Sequence, residues 1–252
     1  MTTIPKIHRP TTLLALAALA VIAGGCAKTA ERKDAAPVAD TVQTAAVTPD
    51  VISGTFTDSR DGKTYRTVRI GNQTWMAENL NYKTGTSVCY DNADSNCTKY
   101  GRHYNWDDAM TACPAGWRVP TDEDWDSLAL AAGGQRVEDG YDGYDGYDWK
   151  FAGKKLKSTT GWDDCEDDDG KLVSGNGTDE FGFSALPGGD GTSDGSFISA
   201  GYNGQWWSAT EYDASYAWNR YMGYISDRVG RYYNSKTDLL SLRCVRVFAD
   251  LR

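Results

Sequence analysis

The pattern of apolar and polar positions predicts two short helices in the middle of the chain. In the stretch NWDDAMTAC the apolar residues recur at i, i+3, i+4 and i+7, which is one face of a helix, and Pro114 ends it. In the stretch TDEDWDSLALAAGG the same spacing runs from Trp125 to Ala132. Thr121 and Asp124 are placed there as a capping box, and two glycines follow. We therefore expect one helix on each side of the GWRVP segment.

Alternation of apolar and polar residues predicts short strands before and after the helices. The segment ISGTFTDSRDGKTYRTVRIGNQTWM alternates, and its DG and GN pairs are typical of hairpin turns. Two further strands are indicated by YAWNRYM and VGRYY, with a turn near Ser226. The final segment LLSLRCVRVF also alternates, but its apolar phase slips near Cys244. We expect a β-bulge there, because one extra residue in a strand produces such a slip.

Glycine-rich and aspartate-rich stretches follow Gly133 and predict long loops. They include YDGYDGYDW, GWDDCEDDDG and SGNGTDEFGFSALPGGDGTSDG. Loops of this length in a compact domain are either functional or poorly ordered. We expect loops to dominate from Gly133 to the strand that begins near Tyr216.

The first 25 residues have the layout of an export signal. Lys6 and Arg9 precede an apolar run from Leu13 to Ala23, and small residues lead into Cys26. The run has about eleven residues, whereas a membrane-spanning helix needs about twenty. We therefore expect residues 1–25 to be a cleaved signal peptide.

The position of Cys26 directly after the small residues resembles the bacterial lipobox. In that motif the thiol receives a diacylglyceryl group and the new amino terminus is acylated. Ala23 stands where the motif usually has Leu, so secretion with an unmodified Cys26 is the alternative. Ala27, in place of Asp, implies by the same resemblance that the protein is sorted to the outer membrane. Acyl chains would hold it there, since each buried methylene contributes about 0.8 kcal/mol.

Composition divides the remaining chain into a tether and one domain. Residues 26–50 have no aromatic residue, which is typical of a flexible tether. Residues 51–252 hold every Trp, Tyr and Phe and can bury a full core, so we expect one monomeric domain. Removing the signal peptide, with two basic and no acidic residues, lowers the net charge from −9 to −11. Nucleic acid is therefore not an expected partner, because phosphate binding needs clustered Lys and Arg.

Five cysteines lie beyond the lipidation site, at positions 89, 97, 113, 165 and 244. An exported chain meets an oxidising compartment, and none of these cysteines forms a CxxC pair, so disulfides are expected. Cys89 and Cys97 flank a polar loop and would close it. Cys113 and Cys244 would join the first predicted helix to the last strand. Cys165 is left over, and we expect a free exposed thiol, with pairing to another molecule as the alternative.

Several blocks of the sequence resemble the Fibrobacter succinogenes major paralogous domain, a family of bacterial surface and secreted proteins. They are VRIGNQTWMAENLNY, CPAGWRVPTDEDWDSL, GTDEFGFSALPGG, WWSATE and SLRCVRVF, in this order within residues 53–248. The helices and cysteines also resemble the C-type-lectin-like fold, in which a helix cysteine bridges to the last strand. The resemblance implies an α+β domain with two short helices, mostly antiparallel strands and long Gly/Asp-rich loops. It also supports the pairing of Cys113 with Cys244.

Aromatic and polar residues in the last fifty positions form the predicted ligand site. Flat rings stack on the apolar faces of sugars, and neighbouring polar side chains can hydrogen-bond the hydroxyls. The candidates are Trp206, Trp207, Glu211, Tyr216, Trp218, Arg220, Tyr221, Arg231 and Tyr233. Tyr212, Tyr224 and Tyr232 belong to the same aromatic set. The alternative role of the three tryptophans is to fill the core.

The acidic loop around Cys165 is the candidate metal site. Calcium takes six to eight oxygen ligands, and Asp164, Glu166 and Asp168 could supply some of them. The EF-hand pattern fails in this loop, and the calcium-binding motifs of C-type lectins do not occur in the chain. Calcium is therefore a weak candidate against a solvated acidic loop, and no other cofactor is expected.

Catalysis is limited by a shortage of histidine. Without the signal peptide only His103 remains, which excludes a multi-histidine metal site and leaves one residue for any Ser-His-Asp arrangement. We therefore expect a non-enzymatic, lipid-anchored binding or adhesion module of the cell envelope that meets polysaccharide. One alternative is a structural or protein-binding envelope lipoprotein without sugar affinity. The other is an enzyme of a type that no motif reveals.

Overall fold

The computed structural model describes residues 52–138, 147–167 and 169–247. The predictions for the signal peptide, Cys26, the tether and Asp168 fall outside these ranges. Within them, no helix combines the length and the apolar character needed to cross a bilayer.

Four α-helices and one 3-10 helix (Tyr90–Asn92) occur in the described ranges, and two of the α-helices are the predicted ones. The α-helices are Asp94–Tyr100 (α1), Trp106–Ala112 (α2), Asp122–Ala131 (α3) and Ala152–Leu156 (α4). The side chain of Asn105 caps α2 by accepting a hydrogen bond from the amide of Asp108. Thr121 and Asp124 form the predicted capping box of α3. Helices α1 and α4 are additional to the sequence prediction.

The described ranges contain fifteen short strands. Those in the first half of the chain are Ile52–Thr57 (β1), Thr64–Ile70 (β2), Gln73–Met76 (β3), His103–Tyr104 (β4), Gln135–Val137 (β5), Asp148–Lys150 (β6), Cys165–Glu166 (β7) and Leu172–Val173 (β8). Those that follow are Gly188–Gly191 (β9), Phe197–Ala200 (β10), Asn203–Glu211 (β11), Tyr216–Gly223 (β12), Val229–Ser235 (β13), Leu240–Ser241 (β14) and Val245–Val247 (β15).

The strands form two main sheets and one small hairpin. The first sheet has the order β1-β2-β3-β15, and the second has the order β10-β9-β11-β12-β13-β6-β5, with β14 and β4 attached to β11. Strands β7 and β8 pair separately. All named pairs are antiparallel except those of β11 with β9 and with β14. The domain is therefore α+β and mostly antiparallel, as predicted.

The two predicted turns of the N-terminal strands are in place. Gly71 adopts a φ of 59° in the turn between β2 and β3. Gly62 adopts a φ of 75° in the loop between β1 and β2. A side chain with a Cβ rarely adopts such angles, which explains glycine at both positions.

The C-terminal segment differs from the single bulged strand that the sequence predicted. β14 pairs with β11 and β4 in the larger sheet, whereas β15 pairs with β3 in the smaller one. The slip of the apolar phase therefore marks the point where the chain passes from one sheet to the other. The region after Gly133 also contains the short elements β5–β10 and α4, so the prediction that loops dominate there was too simple.

Large aromatic side chains fill the core. Trp75 and Trp125 contact each other with ring centroids 4.8 Å apart, and Trp125 also contacts Trp206 and Phe183. These rings belong to a cluster between α3 and the sheets. Trp207 belongs to a second buried cluster, which includes residues of α2. The two buried clusters thus lie on opposite sides of β11.

Both predicted disulfides are present. Cys89–Cys97 closes the loop that leads into α1, and Cys113–Cys244 joins the end of α2 to the segment before β15. Cys165 is buried and disulfide-bonded. The prediction of a free exposed thiol at Cys165 is therefore wrong.

A buried ion-pair network fixes α3 against the larger sheet. Arg220 of β12 is fully buried, with Nη1 2.7 Å from Asp122 Oδ1 and Nη2 3.0 Å from Asp126 Oδ1. Arg231 of β13 places its Nε 2.6 Å from Asp122 Oδ2. Both carboxylates lie on α3. The network holds β12 and β13 in one position relative to the helix.

Candidate functional site

Trp206 and Trp207 are not available to a ligand. Both side chains are fully buried. The indole nitrogen of Trp206 donates to Asn79 Oδ1 at 2.8 Å, and that of Trp207 donates to the carbonyl oxygen of Tyr104 at 2.7 Å. A buried indole with its donor satisfied is a structural residue. The prediction of these two residues as ligand contacts was wrong, and the core alternative is correct.

Trp218, Arg220 and Arg231 are also occupied by the fold. Trp218 is only 7% exposed, and the Arg231 guanidinium carbon lies 3.2 Å from the centroid of its ring. Arg231 is paired with Asp122 at the same time. Arg220 is fully buried in the network on α3. The prediction that Arg220 contacts a ligand was therefore wrong, the ring of Trp218 is largely covered, and the guanidinium of Arg231 is committed to Asp122 and Trp218.

The remaining candidates near the start of β12 form an aromatic cluster at the surface. The ring of Tyr233 is parallel to that of Tyr212 at 4.3 Å and to that of Tyr232 at 5.5 Å. Trp218 and Tyr216 present their edges to it. Tyr212 and Tyr216 are each 40% exposed. Because four rings surround Tyr233, it serves packing within the cluster more than contact with a ligand.

Glu211 and Tyr224, two further residues of the predicted aromatic and polar set, lie apart from one another. Glu211 is exposed at the end of β11 and lies 3.4 Å from Lys236 Nζ. Tyr224 is half-buried against the core and makes an edge contact with Tyr202. The structure therefore does not bring the sequence-predicted set together as one site.

A groove of about 400 Å³ lies over the larger sheet and contains the best ligand geometry. Tyr221 of β12 and Tyr232 of β13 line it with aromatic rings. Its other lining side chains include Asp148, Asp190, Asn203, Gln205 and Asn234. Gln205 lies directly across from Tyr221 in the sheet, so the amide and the ring belong to one face. The groove thus combines aromatic surface with hydrogen-bonding groups, and we call it the sheet groove.

Short hydrogen bonds fix the polar side chains of the sheet groove. Gln205 Nε2 donates to Asp190 Oδ1 at 3.0 Å. Asn219 Nδ2 donates to Asn234 Oδ1 at 2.7 Å, and Asn234 Nδ2 donates to Asp238 Oδ2 at 3.1 Å. A ligand would therefore meet polar groups whose positions are set in advance, which lowers the entropic cost of binding.

Asp190 is an acid of the sheet groove whose pKa is raised. Burial raises the pKa of its carboxyl group to about 6, and the negative charge of Asp238 acts in the same direction. The hydrogen bond from Gln205 opposes both effects. Perturbed acids in concave sites are candidates for a functional role.

Sequence reasoning identified part of this groove. Tyr221 and Tyr232 were in the predicted aromatic set, whereas Asp190, Gln205 and Asn203 were not. Gln205 lies two positions after Asn203 on β11, so the two side chains share one face of the strand. This spacing is the sequence signal that could have found Gln205. Asp190 could not be found in this way, because β9 reaches β11 through a parallel pairing that no local pattern reveals.

A second, larger cleft of about 560 Å³ lies between β2–β3 and α1. Its charged residues include Lys63, Arg66, Glu78 and Lys99. Arg66 pairs with Glu78 at 3.2 Å, and Lys63 donates to the carbonyl oxygen of Asn81. The ammonium of Lys99 lies 4.5 Å from the centroid of the Tyr100 ring. Since these charges are engaged within the protein, the cleft offers less for a ligand than the sheet groove.

The acidic loop does not assemble a metal site in the described part of the chain. Asp164 and Glu166 are exposed on either side of Cys165. No group of three or more His, Cys, Asp or Glu residues within the described ranges could hold a metal ion. The calcium candidate Asp168 lies outside those ranges.

His103 is a core residue. It is fully buried, its Nε2 lies 3.2 Å from the carbonyl oxygen of Gly189, and the rings of Tyr90 and Phe197 lie beside it. Burial lowers the pKa of His103 to about 4, so the imidazole is neutral at physiological pH. Its position gives it a packing role.

Comparison with known families identifies the domain. Residues 68–246 match the Fibrobacter succinogenes major domain, which is more than half of the chain, and the protein therefore belongs to this family. No curated protein and no solved structure matches the chain.

Proposed function

We propose that this protein is a lipid-anchored module of the cell envelope that binds polysaccharide in the sheet groove. The observation that supports the proposal is the convergence of two tyrosine rings, three amide side chains and two buried carboxylates on one concave face. Aromatic rings offer flat apolar surface for a sugar ring, and amides and carboxylates can both orient its hydroxyls.

The size and the support of the sheet groove suit this role. Its volume falls within the range of about 300–1,000 Å³ that is usual for small-molecule sites. Its floor is the central part of a nine-stranded sheet, whose position is fixed by α3 and the Arg220 network. Side chains on strands are held more precisely than side chains on loops. A rigid site is what repeated binding to an extended polymer requires.

Binding to a panel of neutral and acidic polysaccharides, with insoluble cellulose among them, tests the proposal. We expect the full-length protein to be retained on at least one of them. Tyr221→Ala and Tyr232→Ala should each weaken binding by about tenfold, because each removes a stacking surface worth about 1.4 kcal/mol.

Tyr216→Ala is the matched control for these variants. Tyr216 is an exposed tyrosine on the same strand as Tyr221, but it does not line the groove. It should bind as the unaltered protein does, and thermal melting should show that all three variants fold. Retention that survives both groove substitutions would contradict the proposed site. Retention on no glycan, with a protein partner recovered instead, would favour the protein-binding alternative.

The lipid anchor has a separate test. We expect the native protein to partition into detergent and its N-terminal peptide to carry a diacylglyceryl thioether and an amide-linked acyl chain at Cys26. Cys26→Ser should move the protein to the aqueous phase, because the sulfur is the site of attachment. Peptide mapping without reduction also identifies the partner of Cys165. An unmodified N-terminus, or a disulfide at the Cys26 sulfur, would contradict lipidation, since a thioether sulfur cannot form a disulfide.

A further inference from the structure

The charged groups around the sheet groove are unevenly distributed. Asp148 and Asp190 line it, and Asp238 lies close enough to Asp190 for their charges to repel. Arg231 is the only basic residue among the described residues that line the groove. Its guanidinium carbon lies over Trp218, and its Nε is paired with Asp122, so its charge is directed to the α3 side.

Arg228, which pairs with the groove residue Asp148, is also committed. Arg228 places its Nη1 3.0 Å from Asp148 Oδ2. Asp190, by contrast, receives its hydrogen bond from the neutral amide of Gln205. Among the described residues, the groove therefore presents carboxylate and amide groups to a ligand, while Arg228 and Arg231 are paired with Asp148 and Asp122.

The carboxylate of Asp190 acts differently on neutral sugars and on acidic sugars. A hydroxyl group donates a hydrogen bond to a carboxylate, and hydrogen bonds to charged acceptors are stronger than neutral ones. A sugar carboxylate or sulfate brings a second negative charge to the same place. Because Asp190 is only 6% exposed, water screens that repulsion poorly.

We infer that the sheet groove selects neutral sugars over acidic ones and that Asp190 is the residue that determines this specificity. The inference rests on the proposed function and deepens it by naming the ligand class. Neutral hexose polymers are the ligands that the groove accepts, and uronic acid or sulfated polymers are those that it rejects.

Matched ligands give the sharpest test. Each neutral glycan that retains the full-length protein is compared, at pH 7.5, with the same glycan after its primary hydroxyls are oxidised to carboxylates. We expect the oxidised form to bind at least tenfold more weakly. Asp190→Asn keeps the shape and the acceptor for Gln205 but removes the charge, so it should reduce this discrimination several-fold.

A second variant changes the charge in the opposite direction. Asn203→Asp adds a carboxylate to the same groove and should increase the discrimination against the oxidised glycan. Thermal melting controls for folding in both variants. Equal binding of the two glycan forms, stronger binding of the oxidised form, or an unchanged ratio in Asp190→Asn overturns the inference while the proposed function stands. If no glycan of either kind binds the unaltered protein, the proposed function fails and the inference fails with it.

Discussion

Replacing Cys113 and Cys244 with alanine lowers the free energy of unfolding by about 5 kcal/mol. The disulfide spans 131 positions of sequence, and its removal frees the unfolded chain from the largest closed loop among the described disulfides. A domain of this size is stable by about 5–15 kcal/mol, so the loss takes a large share of that total. Chemical denaturation of the two forms measures it.

The second disulfide provides the matched control. Cys89 and Cys97 are separated by eight positions, so their replacement should cost about 2.6 kcal/mol on the same chain-entropy argument. Equal losses for the two pairs, or a larger loss for the local one, would contradict the claim that the long bridge stabilises the domain chiefly by restricting the unfolded chain.

Arg220→Met lowers the free energy of unfolding by about 3 kcal/mol. Arg220 is fully buried between Asp122 and Asp126, and methionine fills much of the same volume without the charge. The substitution removes the cation that bridges the buried carboxylate of Asp122 and the partly buried carboxylate of Asp126, and breaking a buried pair costs about 3–5 kcal/mol in comparable sites. Arg231 continues to pair with Asp122, so the lower end of that range applies.

Arg66→Met is the control for the charge network. Arg66 pairs with Glu78, but both side chains are largely exposed, and such surface pairs contribute about 1 kcal/mol or less. Denaturation of both variants under the same conditions compares the two sites. A loss at Arg220 no larger than the loss at Arg66 would contradict the role assigned to the buried network in holding α3 on the sheet.

The sequence predicted those parts of the fold that local patterns determine. Helices α2 and α3 were predicted because their apolar spacing and caps are complete within a few residues. The disulfides at Cys89–Cys97 and Cys113–Cys244 were predicted from the cysteine positions and the expected oxidising compartment, with support from the fold resemblance for the second pair. Helices α1 and α4, of seven and five residues, are too short to show a full periodic pattern.

The candidate site was predicted less well because it depends on the pairing of distant strands. Consecutive residues Trp206 and Trp207 point to opposite faces of β11, and both are buried because each face carries a core cluster. The adjacent tryptophans interrupt the alternation that begins at Asn203 and Gln205, so they do not themselves indicate a ligand face. The cover of Trp218 was missed for a similar reason, because the position of Arg231 over its ring depends on the register of β12 and β13.

The phase slip near Cys244 illustrates the same limit. A bulge and a change of sheet both interrupt the alternation of apolar residues, and the sequence alone does not distinguish them. The partners of β14 and β15 decide the matter, because the two strands pair in different sheets. The family blocks were informative about the domain as a whole, and they gave no information about which face binds.

The most direct measurement of the central claim is the location of the bound glycan. We propose nuclear magnetic resonance of the full-length protein in detergent, with side-chain amide signals followed as a soluble neutral oligosaccharide is added. We expect the signals of Asn203, Gln205 and Asn234 to shift and those of Asn81 in the larger cleft to stay unchanged. Shifts confined to Asn81, or no shift at any of these amides while the sugar binds, would contradict this claim.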